Sequence, residues 1–273
     1  MEHNYWIHDL DPFLFRFGEN FGIRYYGLAY LLSFLIAYAL LALYHRKGRS
    51  PLGPEQQSNA LFAIIIGILA GGRLGYMLFY DLSGFLQNPL VLFKVWEGGM
   101  ASHGGFLGGV AALLWIARTQ KLPLLQVSDL FVTLAPPGLL LGRIANFING
   151  ELYGRITEVS WAVIFPASAP GLPVEAIPPR HPSQLYEAAL EGAFLLVYLQ
   201  FRFWKTDVTR THPGQLSGEF LLLYAVARIF CEFFREPDAG LILGMSRGIF
   251  FSLFLAVAGL AIILIARKRT PAK

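Results

Sequence analysis

Ionisable side chains within the apolar stretches of this chain are the residues whose chemistry a function would use. Arg73, His103, Arg143, Arg228 and Glu232 all lie in or at the edges of such stretches. A charge at the centre of a membrane-spanning helix costs roughly 2.5–3.5 kcal/mol on insertion scales. Such groups should therefore face an interior cavity and pair there, either as part of a site or as structural salt bridges between helices.

Four polar residues of the sixth apolar stretch share one face of a helix, because they are spaced 4, 4 and 3 positions apart. They are Tyr224, Arg228, Glu232 and Arg235. Glu232 can pair with Arg228 or Arg235, but one glutamate cannot neutralise two guanidinium groups. The surplus positive charge predicts a bound anion. The planar guanidinium fork matches phosphate oxygens, and the most abundant anion at this depth of a membrane is a lipid phosphate.

A second polar group lies at the end of the fourth apolar stretch, in the run from Gly142 to Arg155. Arg143 and Asn146 are three positions apart and share a helix face. Glu151 and Gly154 follow, and glycine at such positions permits turns or close backbone approach. A simple helix cap would not need so many polar residues, so this run also predicts a binding site.

A third group is the glycine-rich run around His103, which includes Gly98, Gly99, Gly104, Gly105, Gly108 and Gly109. The glycines predict a tight turn with accessible backbone at the entry to a short helix. Histidine is the side chain best suited to move a proton near neutral pH. A lone histidine is also often structural, so both interpretations of His103 stay open here.

These groups must be positioned by helices in a membrane, because 55% of the 273 residues are hydrophobic and only 15% are charged. A soluble domain usually carries about 25% charged residues. The sequence therefore predicts an all-α polytopic membrane protein. About seven helices of roughly 20 residues are expected: 23–44, 59–80, 103–118, 127–148, 183–203, 215–234 and 247–266. Pro136-Pro137-Gly138 should break the fourth of them.

Basic residues predict how these helices are oriented. Arginines and lysines follow the first, third, fifth and seventh spans, the last group being Arg267, Lys268, Arg269 and Lys273. By the positive-inside rule these loops are cytoplasmic, so the N-terminus is outside and the C-terminus is inside. Residues 1–273 then form a single integral membrane domain, with an aromatic interfacial N-terminal arm at 1–22 and a small external, proline-rich head at 149–182.

Several function classes are not expected. A single cysteine, Cys231, gives no disulfide framework, and no metal-ligand spacing of His, Asp or Glu is visible. We expect no metal and no cofactor. The net charge of +4 is spread over several loops without a basic stripe, so nucleic acid is not an expected partner.

These groups of residues give the sequence a resemblance to the bacterial prolipoprotein diacylglyceryl transferase family. The run from Gly142 to Gly154 matches each fixed position of that family's pattern, Gly-Arg-x-(Gly/Ala)-Asn-Phe-x-Asn-x-Glu-x-x-Gly. Further similar blocks are Arg24 to Gly27, Gly98 to Gly105, His181 to Glu187 and Arg228 to Pro237. The chain departs from the family at Ala101-Ser102, before the histidine, and at Met245-Ser246-Arg247-Gly248, where the family often has Met-Gly-Gln.

The resemblance implies transfer of a diacylglyceryl group from phosphatidylglycerol to the lipobox cysteine thiol of a preprolipoprotein, in the bacterial inner membrane. Glycerol phosphate is released, and the expected partners are that lipid, the signal peptide with its lipobox cysteine, and the bilayer. The residues expected to take part are a base (His103), two phosphate ligands (Arg143 and Arg228), an orienting group (Glu232) and substrate-binding residues (Tyr26, Asn146, Glu151, Gly154, Tyr224 and Arg235).

Other functions would use the same charges. A transporter or channel for an anionic solute would use the arginines as a pathway, although no internal repeat is visible. A scaffold protein would use them only to join helices. An N-acyltransferase of lipoproteins would need an internal nucleophile with a carboxylate and a lysine, and that set is not found.

Overall fold

The structure, a computed structural model, describes residues 5–18, 21–94, 99–237 and 240–268. Parts of three predicted features lie outside the described residues: the ends of the N-terminal arm, Gly98 of the glycine-rich run, and the basic residues Arg269 and Lys273. The described residues are mainly helical, as the sequence predicts. The helices are α1 (Tyr25–Arg46), α2 (Pro54–Tyr80), α3 (Leu82–Gln87), α4 (Ser102–Thr119), α5 (Leu124–Val132), α6 (Ala135–Ile148), α7 (Ser183–Glu187), α8 (Leu195–Lys205), α9 (Val208–Thr211), α10 (Gln215–Glu232) and α11 (Arg247–Lys268).

Four stretches of the described chain are long and apolar enough to cross a membrane, which confirms the prediction of a membrane protein. They are Tyr25–Arg46, Pro54–Tyr80, Leu124–Ile148 and Arg247–Lys268, and they correspond to the first, second, fourth and seventh predicted spans. The other three predicted spans coincide with helices of more polar composition. One of these, α10, contains Glu219, Arg228 and Glu232.

The predicted break in the fourth span lies just before its prolines. Helix α5 ends at Val132 and α6 begins at Ala135, so Pro136 and Pro137 occupy the first turn of α6. Proline is tolerated in a first turn because its missing N–H would have no helical acceptor there. The break leaves Arg143 on a separate short helix.

By their contacts the residues form two compact units. Unit 1 contains Met1–Ala37 and Phe131–Lys273, and unit 2 contains Tyr38–Leu130. The sequence predicts one integral membrane domain.

Unit 2 is held together by close packing of α2 on α4. A Cβ atom on Gly104 would overlap the carbonyl oxygen of Gly71, and one on Gly108 would overlap that of Gly67. Small residues allow helix backbones to approach this closely in membrane proteins. Gly104 and Gly108 thus serve helix packing within α4, in agreement with the predicted span 103–118, and Gly99, with a φ of +76°, lies before the helix.

Arg73, for which the sequence leaves a site role and a structural role open, has structural partners in unit 2. Its side chain is buried, with 3% of the residue exposed. Its guanidinium donates to four backbone carbonyls, those of Val91, Leu92, Lys94 and Gly99, at 2.7–3.2 Å. These bonds satisfy partly buried acceptors of the segment that follows α3.

In unit 1 the N-terminal arm consists of short strands. Strand β1 (Trp6–Ile7) pairs in parallel with β4 (Val163–Ile164), and β2 (Phe13–Arg16) pairs antiparallel with β3 (Gly22–Arg24). The segment 149–182 is otherwise irregular with two 3-10 turns, as its prolines predict. Several large apolar side chains of the arm are exposed: Phe15, Phe17 and Phe21.

Candidate active site

Six charged side chains of unit 1 form one ion-pair network, which we call the arginine–glutamate network: Arg143, Arg228, Arg235, Glu187, Glu191 and Glu232. Glu187 contacts all three guanidinium groups, at 2.9 Å from Arg143 Nε, 2.5 Å from Arg228 Nη1 and 3.1 Å from Arg235 Nη1. Glu191 lies 3.4 Å from Arg143 Nη2 and 3.3 Å from Arg228 Nη1. Glu232 pairs with Arg228 one helical turn earlier.

The two central glutamates are positioned by an unusual helix. Between α7 and α8 the backbone is π-helical from Ala188 to Phe194, a geometry that recurs at functional sites. Within it, Gly192 touches α6, because a Cβ atom there would lie 2.6 Å from Leu140 Cα. Leu140 lies one turn before Arg143. The close approach at Gly192 therefore brings the Arg143 guanidinium to Glu187 and Glu191.

The carboxylates of the network are enclosed while two guanidinium groups keep an accessible edge. The side chains of Glu187 and Glu191 are 0% exposed, whereas Arg143 is 18% and Arg228 is 12% exposed. Among acceptors in the described ranges, none receives a hydrogen bond from Arg143 Nη1 or Arg228 Nε. The network thus presents donors at its accessible side and holds its negative charge inside.

The expected surplus of positive charge is corrected by this arrangement. The sequence argument counted only Glu232 against Arg228 and Arg235, all near the end of α10. Glu187 and Glu191 come from the neighbouring helical segment, so three formal negative charges meet three positive ones in the network. Burial of unpaired charges would be very costly, and pairing removes most of that cost.

Glu232 is fixed from two sides. It accepts from Arg228 and from the hydroxyl of Ser246, whose Oγ lies 2.6 Å from Glu232 Oε2. The same oxygen of Ser246 accepts from the backbone N–H of Ile249 at 3.2 Å and so caps the start of α11. A Cβ atom on Gly248 would overlap the Glu232 carboxylate, so glycine makes room for it.

The residues at the end of α6 and just after it form a second group of hydrogen bonds. Asn146 is buried, and its Nδ2 donates to Glu151 Oε1 at 2.8 Å. Asn149 Nδ2 donates to the same oxygen at 3.2 Å, and Gln184 Nε2 donates to the Glu151 backbone carbonyl at 2.6 Å. The Glu151 residue remains exposed. Asn146 and Glu151 are therefore brought together as a polar pair at the end of the helix that carries Arg143.

Gly154 lies where the irregular segment meets the end of α10. Its N–H donates to the carbonyl of His181 at 2.9 Å, and a Cβ atom would overlap the carbonyl oxygen of Phe234. The next residue, Arg155, donates its N–H to that same carbonyl of Phe234 at 2.9 Å. Glycine at 154 thus permits the contact that fixes the backbone beside Arg235. Nearby, burial lowers the pKa of the His181 imidazole below its ordinary value.

With this geometry in place, comparison with known proteins decides the family. Residues 12–265 match the prolipoprotein diacylglyceryl transferase family. The chain belongs to this family.

Curated relatives extend over nearly the whole chain. A phosphatidylglycerol–prolipoprotein diacylglyceryl transferase of Idiomarina loihiensis is 45% identical over 273 residues, covering 98% of both chains. That of Zymomonas mobilis is 44% identical and covers 90% of this chain and 85% of its own length. That of Pseudoalteromonas atlantica is 45% identical, with 95% and 90% covered. The chain is therefore an enzyme of the transferase class, and the transporter alternative receives no support.

In this prolipoprotein diacylglyceryl transferase family member, the remaining predicted residues take part in none of the described ion pairs of the network. The ring of Tyr26 packs on that of Tyr30 at 5.3 Å between centroids. The ring of Tyr224 stacks on that of Phe220 at 6.0 Å between centroids. His103 belongs to unit 2, where its exposed side chain lies in the first turn of α4.

Three residues that position the network were not predicted: Glu187, Glu191 and Ser246. The first two had a sequence signal, since two acids four positions apart in an apolar stretch must have partners. Ser246 had a weaker signal, because it replaces a glycine that the family often has. Within the described part of the chain, no group of three or more His, Cys, Asp or Glu could hold a metal ion.

Proposed function

We propose that this chain transfers the diacylglyceryl group of phosphatidylglycerol to the lipobox cysteine thiol of a preprolipoprotein, with Arg143 and Arg228 as the phosphate ligands. The observation that supports these roles is the pair of accessible guanidinium edges above fully enclosed glutamates. Guanidinium donors are suited to a phosphodiester because two parallel N–H bonds match two phosphate oxygens. A membrane phospholipid brings its phosphate to such a site from the bilayer.

In the proposed reaction the thiolate sulfur attacks the glycerol carbon that carries the phosphate ester. A C–S bond forms, the C–O bond breaks, and glycerol phosphate leaves with the bonding electrons. Negative charge therefore builds on the leaving oxygen. Donors held in place before the reaction stabilise such charge most effectively, and removal of one donor of this kind typically costs about 10²–10³ in turnover.

The nucleophile comes from the substrate. Cys231 of this chain is fully buried, so it is not available to attack a lipid. A lipobox thiol has an ordinary pKa near 8.5 and must lose its proton before attack. We assign that proton to His103, whose exposed imidazole can accept it and later release it to the leaving phosphate.

The glycerol headgroup requires polar contacts beyond the phosphate. Asn146 and Glu151 form a hydrogen-bonded pair at the end of α6, and the exposed Glu151 residue can accept from glycerol hydroxyls. Tyr26 and Tyr224 would line the lipid or headgroup pocket. Gly154 serves the same site by keeping the backbone close to Arg235.

We further propose seven spans in the bacterial inner membrane, with the N-terminus outside and the C-terminus in the cytoplasm. Beyond the four apolar spans, α4 and α10 have 18 residues each, about 27 Å at 1.5 Å per residue. The helical stretch 183–205 is longer still. The arm and the 149–182 segment would then lie at the outer surface.

Cysteine labelling tests this topology. The variants Lys121→Cys and Leu172→Cys are each made together with Cys231→Ser, so that each protein has one cysteine. When intact cells are labelled from outside, we expect a signal only from Leu172→Cys.

Mass spectrometry of a lipobox peptide incubated with the purified protein and phosphatidylglycerol tests the reaction. We expect a diacylglyceryl adduct on the cysteine, and none on a peptide with serine there or when the lipid is omitted. A folded protein that forms no adduct would remove the proposed activity. Near wild-type turnover in His103→Gln would remove only the base assignment.

A further inference from the structure

We infer that Glu187 is a positioning residue of this transferase, which holds the three guanidinium groups in place and sets how tightly Arg143 and Arg228 bind phosphate. The inference rests on the proposed function, because phosphate is the anion concerned. Glu187 contacts Arg143, Arg228 and Arg235, which come from α6, from α10 and from the segment after α10. No other carboxylate of the network touches all three.

The contact with Arg143 has a particular geometry. Glu187 Oε2 is buried and lies 2.9 Å from Arg143 Nε, yet it accepts no well-aligned hydrogen bond from any described group. Charge therefore holds Arg143 near Glu187 without a directed bond at that oxygen. The Arg143 guanidinium can turn an N–H toward a phosphate without breaking an aligned bond to Glu187.

The charge balance of the network then has a consequence for binding. Three carboxylates offset three guanidinium groups, so the resting network attracts a phosphodiester less than three unpaired arginines would. Interactions that favour the transition state over the ground state raise turnover, whereas equal binding of both does not. Glu187 would keep ground-state affinity low and allow the released glycerol phosphate, a phosphomonoester, to dissociate.

The test is the variant Glu187→Gln, which keeps the shape of the side chain and removes its charge. We expect glycerol phosphate to inhibit about tenfold more strongly, since one counter-charge within ion-pair distance is lost. The KM for phosphatidylglycerol should fall and kcat should also fall, because product release is slowed and Arg143 is less well held. A residue with only a structural role would lower kcat without tightening inhibition.

A second variant makes the charge argument specific. Glu187→Gln combined with Arg235→Gln removes one charge of each sign, and we expect the inhibition constant for glycerol phosphate to return toward the wild-type value. Arg235 suits this purpose because its side chain is only 6% exposed, which favours a counter-charge over a phosphate ligand. Failure of the double variant to reverse the tightening would contradict the inference.

The matched control is Glu219→Gln. Glu219 is a carboxylate of the same unit that pairs with Arg202 at 2.7 Å, and it does not contact the arginine–glutamate network. We expect unchanged inhibition by glycerol phosphate in this variant. An equal tightening would show that any lost negative charge acts from a distance, and would overturn the assignment to Glu187.

Thermal unfolding in detergent checks that the variants fold. Glu191→Gln is a second variant that removes a negative charge from the network, because Glu191 contacts Arg143 and Arg228. Equilibrium binding of glycerol phosphate gives a measurement that does not need turnover. Wild-type affinity in both single variants would overturn the inference even if the wild-type enzyme forms the lipid adduct. Absence of adduct from the wild type would instead remove the proposed function.

Discussion

Arg73 and Arg228 are both arginines within apolar helices, but their guanidinium groups have different partners. Arg73, in unit 2, donates to four backbone carbonyls and is almost completely enclosed. Arg228, in unit 1, meets three carboxylates and keeps 12% of its side chain exposed. Arg73 has neutral acceptors that belong to the fold, whereas Arg228 has charged acceptors on one side and an accessible edge on the other.

The difference gives a criterion for separating a structural arginine from the phosphate ligand that we propose. Both are costly to bury, so burial alone does not separate them. The N–H groups of the Arg73 guanidinium are directed at backbone carbonyl oxygens. Carboxylate partners hold the charge of Arg228 while they leave its Nε–H without an acceptor among the described residues.

The largest expected effect is on turnover in Arg143→Lys and Arg228→Lys. Lysine keeps the charge but loses the planar fork, so we expect kcat for lipobox peptide lipidation to fall about 10²-fold or more. The measurement is adduct formation per minute, with Arg202→Lys as a control at a partly buried pair outside the network. Normal turnover in both variants would contradict the assignment of Arg143 and Arg228 as phosphate ligands. Arg228 would then not differ from Arg73 in its function.

At Arg73 we expect a substitution to lower stability and not turnover. Replacement by leucine leaves several buried carbonyls without donors, each costing about 1–3 kcal/mol. We expect a lower thermal midpoint and lower yield, while kcat per folded molecule stays near wild type. The check is thermal inactivation in detergent together with turnover normalised to folded protein. A normal midpoint with lost turnover would place Arg73 in the working part.

Gly192→Ala should affect the network through the backbone. The new methyl group would press on Leu140, because its Cβ position lies within 2.6–2.8 Å of three Leu140 atoms. Overpacking of this kind costs about 1–3 kcal/mol, and a shift of α6 moves Arg143 away from Glu187 and Glu191. We expect turnover to fall about tenfold, which corresponds to about 1.4 kcal/mol of lost transition-state stabilisation. Gly109→Ala is a useful comparison, because this glycine also lies in a helix and a Cβ atom there would make an ordinary contact of 3.6 Å with Ile68.

The smallest expected effect is at Ser246. Alanine removes the hydroxyl that caps α11 and donates to Glu232, which costs about 1 kcal/mol. We expect a several-fold loss of turnover and a slightly lower thermal midpoint, with both largely restored in Ser246→Thr. Equal loss in the alanine and threonine variants would indicate that the hydroxyl does not act on Glu232.

The sequence was sufficient for the residues of one helix and insufficient for partners between helices. Arg235 lies beyond the end of α10 and pairs with Glu187, so it is not on the predicted helix face. The spacing of four did place Arg228 beside Glu232, because helix geometry fixes such distances. It could not place Glu187 and Glu191 there, because no local pattern says which faces of two helices meet. The predicted surplus charge was wrong for this reason.

Glycines also show that a local sequence pattern does not identify contacts between helices. The run from Gly98 to Gly109 predicted a tight turn at the entry to the third span, since glycine favours turns locally. In the structure Gly104 and Gly108 lie inside α4, as the span 103–118 predicts, and they pack against Gly71 and Gly67 of α2. The local pattern did not indicate this packing, because it does not say which helix the glycines contact. Pro136 and Pro137 gave a reliable prediction, because the restriction that proline imposes belongs to its own ring.

The parallel pairing of Trp6–Ile7 with Val163–Ile164 has a consequence for biosynthesis. The partner strand of the arm is synthesised 157 residues after Trp6, which takes about 8–30 s at 5–20 residues per second. During that time the start of the chain has no β partner. A nascent chain arrested before residue 163 should therefore be cut by proteases at Trp6–Ile7 faster than one arrested well beyond it.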